Sequence, residues 1–295
     1  MIKFLKKQKE TKAMPCKTLF ISDLDGTLLN SNCEISENSV NTLNYLIGKG
    51  INFTVATART SETVRLLTKR LNINAPAILM NGVAIYDLKS EKYLSYELLP
   101  KNSLGKLFEI IKGYGSWGFL YAVKDDRLDT YYVNCDTPNS YEFMHERIKK
   151  FGKKFTQVSD FSSCLEKECI YYSVSHKEEF LKPIYEKVRQ LEGFSIEYYR
   201  DIYNTDFWYL EICSENASKY NSALKLKKEL GFEKITAFGD NLNDLPLFRA
   251  ADECYAVMNA KDEVKAKADG IIASNNDDGV ATYINAQFTT HNECI

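Results

Sequence analysis

The strongest constraint on this chain is a rhythm that breaks once and then resumes. In the first third, short apolar runs of the buried-strand kind fall at residues 18–22, 51–56 and 77–80. Between the first two, Val40, Leu43 and Ile47 share one helix face behind the candidate N-cap Ser36, and Gly50 is the stop. Val64, Leu67 and Leu71 repeat the pattern after Thr60 and Ser61. Strand, helix, strand, helix, strand implies right-handed crossovers, so this segment predicts a parallel sheet. After Ser218 the rhythm returns. A helix runs to Leu230 with Gly231 behind it, and strands at 235–238, 255–257 and 271–273 alternate with helices over 243–251, 261–268 and to about 287.

The break opens at Asn81-Gly82, a tight-turn signal, followed by strand-like Val83–Tyr86 and Lys92–Glu97. Helix patterns near 103–112, 140–151 and 178–192 then mix with strands near 119–123, 128–133, 170–175, 194–200 and 206–212. Tyrosine is dense in these strands, as the pairs Tyr131-Tyr132, Tyr171-Tyr172 and Tyr198-Tyr199, which fits sheet packing. The predicted fold is α/β. A doubly wound, Rossmann-like parallel-sheet core spans residues 1–82 and 204–295, with an α+β cap domain inserted over 83–203.

Composition removes several classes. A length of 295 residues can bury two moderate cores without staples. The eight cysteines form no Cys-x-x-Cys pair, and His145, His176 and His291 are scattered, which argues against structural zinc and a disulfide framework. Lys plus Arg, at 38, nearly balances Asp plus Glu, at 40, so no basic footprint marks a nucleic-acid partner. No apolar stretch approaches the roughly 20 residues that cross a bilayer. The lysine-rich segment from Met1 to Lys17 reads as a solvated arm, and the expected setting is the cytoplasm.

The residues that carry chemistry sit where a parallel sheet places its site, beyond the carboxyl ends of its strands. The first strand runs into Asp23-Leu24-Asp25-Gly26-Thr27-Leu28, the second ends at Thr57-Ala58-Arg59, and the 235–238 strand ends in Gly239-Asp240-Asn241-Leu242-Asn243-Asp244. Four carboxylates sharing a crevice need cations to balance them, and all-oxygen ligands with room for water suit Mg²⁺. Such a metal recruits an anion, and phosphate is the obvious one. Lys219 at a helix start adds positive charge.

Asp23-x-Asp25-Gly26-Thr27-Leu28, Thr57, Lys219 and Gly239-Asp240-x-x-Asn243-Asp244 follow one another in an order that resembles the haloacid dehalogenase superfamily of phosphohydrolases. The large insertion between Thr57 and Lys219 resembles the type-2 cap of its Cof-type branch. The resemblance implies Asp23 as nucleophile, forming an aspartyl-phosphate, and Asp25 as the acid and base, its proton encouraged by acidic neighbours. It implies Mg²⁺ held by Asp23, the Asp25 backbone carbonyl and Asp240, with Asp244 in support. Thr57, the Ala58 N–H, Lys219 and Asn243 would hold the phosphoryl oxygens. Two positions depart from the family: Ala58 and Tyr220 stand where glycine is usual. Arg59 reads equally as a salt bridge beside the site or a phosphate contact. Asp125, Asp126 and Arg127 on a cap turn are candidates for substrate selectivity, and His145 reads as surface. The expected activity is hydrolysis of small phosphorylated metabolites, sugar phosphates or phosphorylated cofactors. A phosphomutase shares the same core residues, and a non-catalytic phospho-ligand binding or regulatory protein would share the fold.

Overall fold

The computed structural model describes residues 17–292 apart from 116, 136, 202 and 203. The segment from Met1 to Cys16, most of the expected arm, lies outside the described residues. The chain begins with β1 (Thr18–Ser22), α1 (Glu37–Gly48), β2 (Asn52–Val55), α2 (Ser61–Thr68), β3 (Ala77–Leu79), β4 (Ala84–Asp87) and β5 (Lys92–Tyr96). The middle holds α3 (Lys101–Lys112), β6 (Phe119–Lys124), β7 (Arg127–Tyr132), α4 (Pro138–Phe151), β8 (Phe155–Gln157), β9 (Glu168–His176), α5 (Glu178–Val188), β10 (Phe194–Arg200) and β11 (Trp208–Ser214). It closes with α6 (Lys219–Leu230), β12 (Lys234–Gly239), α7 (Leu245–Ala250), β13 (Glu253–Val257), α8 (Asp262–Lys265), β14 (Gly270–Ile272) and α9 (Gly279–Asn292).

A five-stranded parallel sheet runs β14-β13-β12-β1-β2. Leu19, Ile21, Phe53, Val55, Ile235 and Ala237 are all fully buried, as in a sheet covered on both faces. The chain leaves β1 for β2 on one side and returns to β12 on the other. That reversal opens a crevice at the carboxyl ends of β1 and β12. Local signals place the flanking helices. Ser36 accepts the Ser39 N–H at 2.9 Å, and Ser218 accepts the Asn221 N–H at 3.0 Å, so α1 and α6 begin where those caps stand.

The third strand departs from the predicted rhythm. β3 meets the parallel sheet only at one bridge, between Ala56 and Ile78, and its ladder is antiparallel with β4, which pairs in turn with β5. The cause is its three-residue length and the turn behind it, where Met80, Asn81 and Gly82 all take positive φ and reverse the chain. The hairpin β4–β5 therefore pairs with the core side, and the boundary expected at 82/83 falls inside this small sheet. The helix expected over 243–251 is also divided. A 3₁₀ turn at Leu242–Asp244 precedes α7, because the Asn241–Asp244 capping box and Pro246 restart the helix there.

The second sheet has six strands, ordered β10-β11-β9-β6-β7-β8. β11 belongs to it, although it lies beyond the boundary expected at 203. Its outer face carries Leu120, Ala122, Tyr172, Val174, Leu210 and Ile212, packed with Leu107 and Phe108 of α3 and Leu181 and Ile184 of α5. Its inner face carries Phe119, Tyr121, Val123 and Tyr171, which pack into the cluster continuous with the parallel-sheet core. No helix among the described residues is long and apolar enough to cross a membrane.

Candidate active site

β1 delivers Asp23 at its end, held by the Asp23 N–H donating to the Phe238 carbonyl of β12 at 3.0 Å. The chain then makes a wide turn closed by the Leu29 N–H on the Leu24 carbonyl at 2.8 Å. Inside it Gly26 takes φ +75°, and an added Cβ would stand 2.5 Å from Asp240 Oδ2. Only glycine fits there. Thr27 Oγ1 donates to Asp240 Oδ1 at 3.0 Å, so the first and last acidic motifs are tied together.

Lys219, in the first turn of α6 and only 1 % exposed, joins two of the carboxylates. Its Nζ donates to Asp23 Oδ1 at 2.7 Å and to Asp244 Oδ1 at 2.6 Å. The other oxygen of Asp244 accepts the Asp240 and Asn241 N–H groups at 3.0 and 3.1 Å. Gly239 makes room for it, since a Cβ there would lie 2.6 Å from Asp244 Cβ. Burial and the Asp244 charge hold the Asp23 carboxyl well above the ordinary carboxylate range, against the pull of Lys219. Burial and Asp244 likewise push Asp240 up to about 6. The buried Lys219 ammonium is driven the other way by its two carboxylates, above the ordinary lysine value despite its burial.

Carboxylate oxygens of Asp23, Asp240 and Asp244 all lie within 4.8 Å of one another. The donor set is oxygen only, crowded enough to raise two carboxyls, and so fits a hard divalent cation. Among the described residues, no hydrogen bond engages Asp23 Oδ2 or Asp240 Oδ2, whereas both oxygens of Asp244 are taken. The open donors are therefore on Asp23 and Asp240.

Asp25 stands apart from this cluster. Its side chain is 48 % exposed and is gripped by Arg59, with Nε to Oδ2 at 2.7 Å and the second nitrogen to Oδ1 at 2.6 Å. Asp25 still acts on Asp240 from this exposed position, and the carboxyls raised by crowding and burial are Asp23 and Asp240. Of the two readings of Arg59, the structure has the salt bridge.

Thr57 is buried beside β1, its N–H on the Ile78 carbonyl at 2.9 Å and its Oγ1 accepting the Arg59 N–H at 3.2 Å. Ala58 is exposed, and its N–H has no acceptor among the described residues. Tyr220 lies on the surface under the Arg249 guanidinium, 6.0 Å from its ring centre, and leaves Lys219 to its carboxylates. Asn243 donates to Asn81 Oδ1 at 3.2 Å. Asn81 is the residue the sequence reading missed. It appeared only as half of a turn signal, yet its N–H bonds the Thr57 carbonyl at 2.9 Å and its side chain meets Asn243. The Asp125–Asp126 turn, with both residues at positive φ, is not joined to the carboxylate cluster by any hydrogen bond or ion pair among the described residues. His145 is exposed and stacked on Tyr141.

Residues 20–284 match the family model of the haloacid dehalogenase-like hydrolases. The chain belongs to that family. It is 26 % identical over 278 residues to the 5-amino-6-(5-phospho-D-ribitylamino)uracil phosphatase YitU of Bacillus subtilis, covering 92 % of this chain and 97 % of that one. It is 24 % identical to the pyridoxal phosphate phosphatase YbhA of Escherichia coli, covering 89 % and 95 %. A haloacid dehalogenase-like hydrolase from Bacteroides thetaiotaomicron superposes with a TM-score of 0.74 at 25 % identity, covering 91 % of this chain and 98 % of that one. The fold is shared at 21 % identity and a TM-score of 0.67 with a sugar phosphatase of subclass IIB, over 91 % and 98 % of the two chains. The family's phosphatases of the Cof type, with a separate sheet as cap, are the branch in which this hydrolase sits.

Proposed function

We propose that this hydrolase is a Mg²⁺-dependent phosphatase of small phosphorylated metabolites that works through an aspartyl-phosphate on Asp23. The observation that carries the reading is the cluster of Asp23, Asp240 and Asp244, the first and last held by the buried Lys219, with one oxygen left open on each of Asp23 and Asp240. Those two carboxylates and the Asp25 carbonyl would hold the cation, with Asp244 behind them. When bound, Mg²⁺ supplies charge neutralisation and Lewis acidity at the phosphoryl oxygens.

Asp23 attacks phosphorus, and the ester oxygen leaves with a proton from Asp25. Asp25 then takes a proton from the water that hydrolyses the aspartyl-phosphate, releasing phosphate and restoring both carboxyls. Lys219 spends two of its three N–H donors on Asp23 and Asp244, which leaves one for a phosphoryl oxygen. Thr57, the unengaged Ala58 N–H and Asn243 supply the remaining contacts. Asp25 must first leave Arg59 or share it with the substrate.

The substrate class is supported by the relatives, whose names give a ribitylaminouracil phosphate and pyridoxal phosphate. Cys33, Cys164, Cys169, Cys213 and Cys254 are free thiols, which supports a reducing, cytoplasmic setting. Selectivity is assigned to the cap, to the Asp125-Asp126-Arg127 turn among other parts, and the sheet pairings support counting the cap from about 99 rather than 83. The test is phosphate release over a panel of phosphomonoesters with Mg²⁺, with excess chelator, and with Mg²⁺ restored. Release of inorganic phosphate that chelation abolishes and Mg²⁺ recovers is expected. Full turnover in chelator overturns the metal site, and isomerised ester without free phosphate would mean a mutase.

A further inference from the structure

Met80, Asn81 and Gly82 follow β3 with φ of +51°, +55° and +101°. Positive φ is uncommon for a methionine, and such a run persists only where its surroundings hold it. Here the backbone itself is held. The Met80 N–H donates to the Arg59 carbonyl at 3.2 Å, the Asn81 N–H to the Thr57 carbonyl at 2.9 Å, and the Val83 N–H to the Met80 carbonyl at 3.2 Å. The Gly82 carbonyl accepts from Ser222 Oγ at 2.9 Å.

The neighbours of this turn come from three separate stretches of chain. Thr57 and Arg59 follow β2, and Asn81 and Met80 bond their carbonyls. Gly82 lies against the peptide between Ser218 and Lys219, close enough that a Cβ would stand 2.6 Å from the Lys219 nitrogen. Asn243, beyond β12, donates from Nδ2 to Asn81 Oδ1 at 3.2 Å. One turn of three residues thus touches Thr57, Lys219 and Asn243, the residues assigned above to the phosphoryl oxygens. No hydrogen bond among the described residues joins those three to one another.

The Asn81 side chain is not needed to close the turn, because the backbone bonds do that. Its contact is instead with Asn243, an exposed residue whose amide has Asn81 as its one hydrogen-bond partner among the described residues. An unpartnered amide is free to rotate, and half a rotation would offer a phosphoryl oxygen the amide carbonyl in place of its N–H. Bonded to Asn81, Asn243 keeps its nitrogen beside the turn and has a second N–H to give.

We propose that Asn81 is a positioning residue for phosphoryl binding. Its side chain orients Asn243, while its left-handed backbone sets Thr57 and the start of α6 in place around the same group. The proposal rests on the phosphatase reading above and assigns Asn81 no contact with the phosphoryl group itself.

The test is a double-mutant cycle of wild type, Asn81→Gly, Asn243→Ala and the pair, read as kcat/KM on acetyl phosphate and as the Kd of inorganic phosphate, both with Mg²⁺. Glycine keeps the left-handed backbone and the N–H on Thr57 and removes only the acceptor. Asn81→Gly is expected to lower kcat/KM and to weaken phosphate binding about tenfold, but to change either by less than about twofold once Asn243 is alanine. Losses that multiply in the double variant overturn the proposal, since a merely loosened turn acts whether or not Asn243 is present. So does a loss below about twofold in Asn81→Gly alone. Asn81→His, read at about pH 8 where the ring is neutral, tolerates positive φ and offers a ring nitrogen as acceptor. It is expected to lose less than about threefold, and it stands if the glycine variant does not fold. A tenfold or greater loss in the histidine variant overturns the proposal. A wild type that binds inorganic phosphate and releases none from acetyl phosphate or other phosphoesters overturns the phosphatase reading instead, and the cycle in Kd still decides the role of Asn81.

Discussion

The crevice at the end of β1 and the inner face of the cap are both polar clusters built around carboxylates, but they are held in different ways. In the crevice the backbone does most of the work. Asp23 is pinned by its own N–H on β12, Asp244 by two backbone N–H groups, and glycines at 26 and 239 clear the space between motifs. On the cap face the contacts run from one side chain to another, Tyr199 to Glu211, across strands whose backbone is occupied with its own ladder. A site set by backbone tolerates little change and treats every phosphoester alike. One made of side chains on a regular sheet can be altered a residue at a time, which suits selectivity.

The sharpest way to break this comparison is at Asp23. Asp23→Asn is expected to lower turnover at least about 10⁴-fold on large and small phosphoesters alike, and to leave no covalent phosphoenzyme. Acid-stable labelling of the variant, or near wild-type phosphate release, would show that the nucleophile lies elsewhere.

Next in size is Gly82, where the core's reliance on backbone fit is most exposed. Gly82 has φ +101°, and an added Cβ would stand 2.1 Å from the Ser218 carbonyl carbon and 2.6 Å from the Lys219 nitrogen. Ser222 Oγ donates to the Gly82 carbonyl at 2.9 Å on the same contact. Gly82→Ala is therefore expected to cost about 3 kcal/mol or more in chemical unfolding, from strain and from displacing the start of α6. A loss below about 1 kcal/mol would mean that the junction yields easily.

What could be read in the sequence follows the same division. The strand-end motifs were legible because topology alone brings the ends of β1, β2 and β12 together, so Asp23, Thr57 and Asp240 need only be found after apolar runs. The cap face was not. Tyr171-Tyr172 and Tyr198-Tyr199 are identical pairs, and only register decides which ring faces which way. Tyr172 and Tyr198 pack outward. Tyr171 and Tyr199 turn inward, and the irregular pairing between Tyr121 and Ala122 that helps to set this leaves no mark in the letters. Asn81 was hidden differently. An Asn-Gly pair announces a turn whether or not its side chain has a further partner.

A smaller effect is expected from Arg59, which couples the two halves of the proposed reaction. Arg59→Ala frees Asp25 from its two-pronged grip, and kcat on alkyl phosphates is expected to fall about 30-fold through loss of orientation. On acetyl phosphate, whose leaving group needs little protonation, the fall should be several-fold smaller. Arg59→Lys should restore little, since an ammonium cannot match the paired geometry. Equal losses on both substrates would make Arg59 a phosphate contact, with Asp25 placed by other means.

The smallest effect concerns the place where the two regions touch. Lys153 follows α4 out of the cap and donates to Thr60 Oγ1, at the start of α2, at 2.5 Å, with Glu62 Oε2 3.9 Å away. Thr60 consequently gives no side-chain cap to its own helix. Only 8 % of the Lys153 side chain is exposed, and burial lowers its pKa from 10.5 to about 8, with Glu62 opposing and Arg147 and Arg59 assisting. A base with a depressed folded-state pKa has the opposite sign from the usual lysine ion pair. Between pH 8 and 10.5 the unfolded chain keeps the proton and the folded chain has released it. Stability from this group therefore rises with pH across that window and is flat on either side. Titration of other lysines and tyrosines is removed by comparison with Lys153→Met, which keeps the stem and cannot titrate. The difference in unfolding free energy, wild type minus variant, is expected to rise by about 1–2 kcal/mol from pH 7.5 to 10.5. A flat difference would mean that the amine stays protonated throughout, in solvent rather than between cap and core. In that case the cap rests more open than the Lys153–Thr60 contact implies.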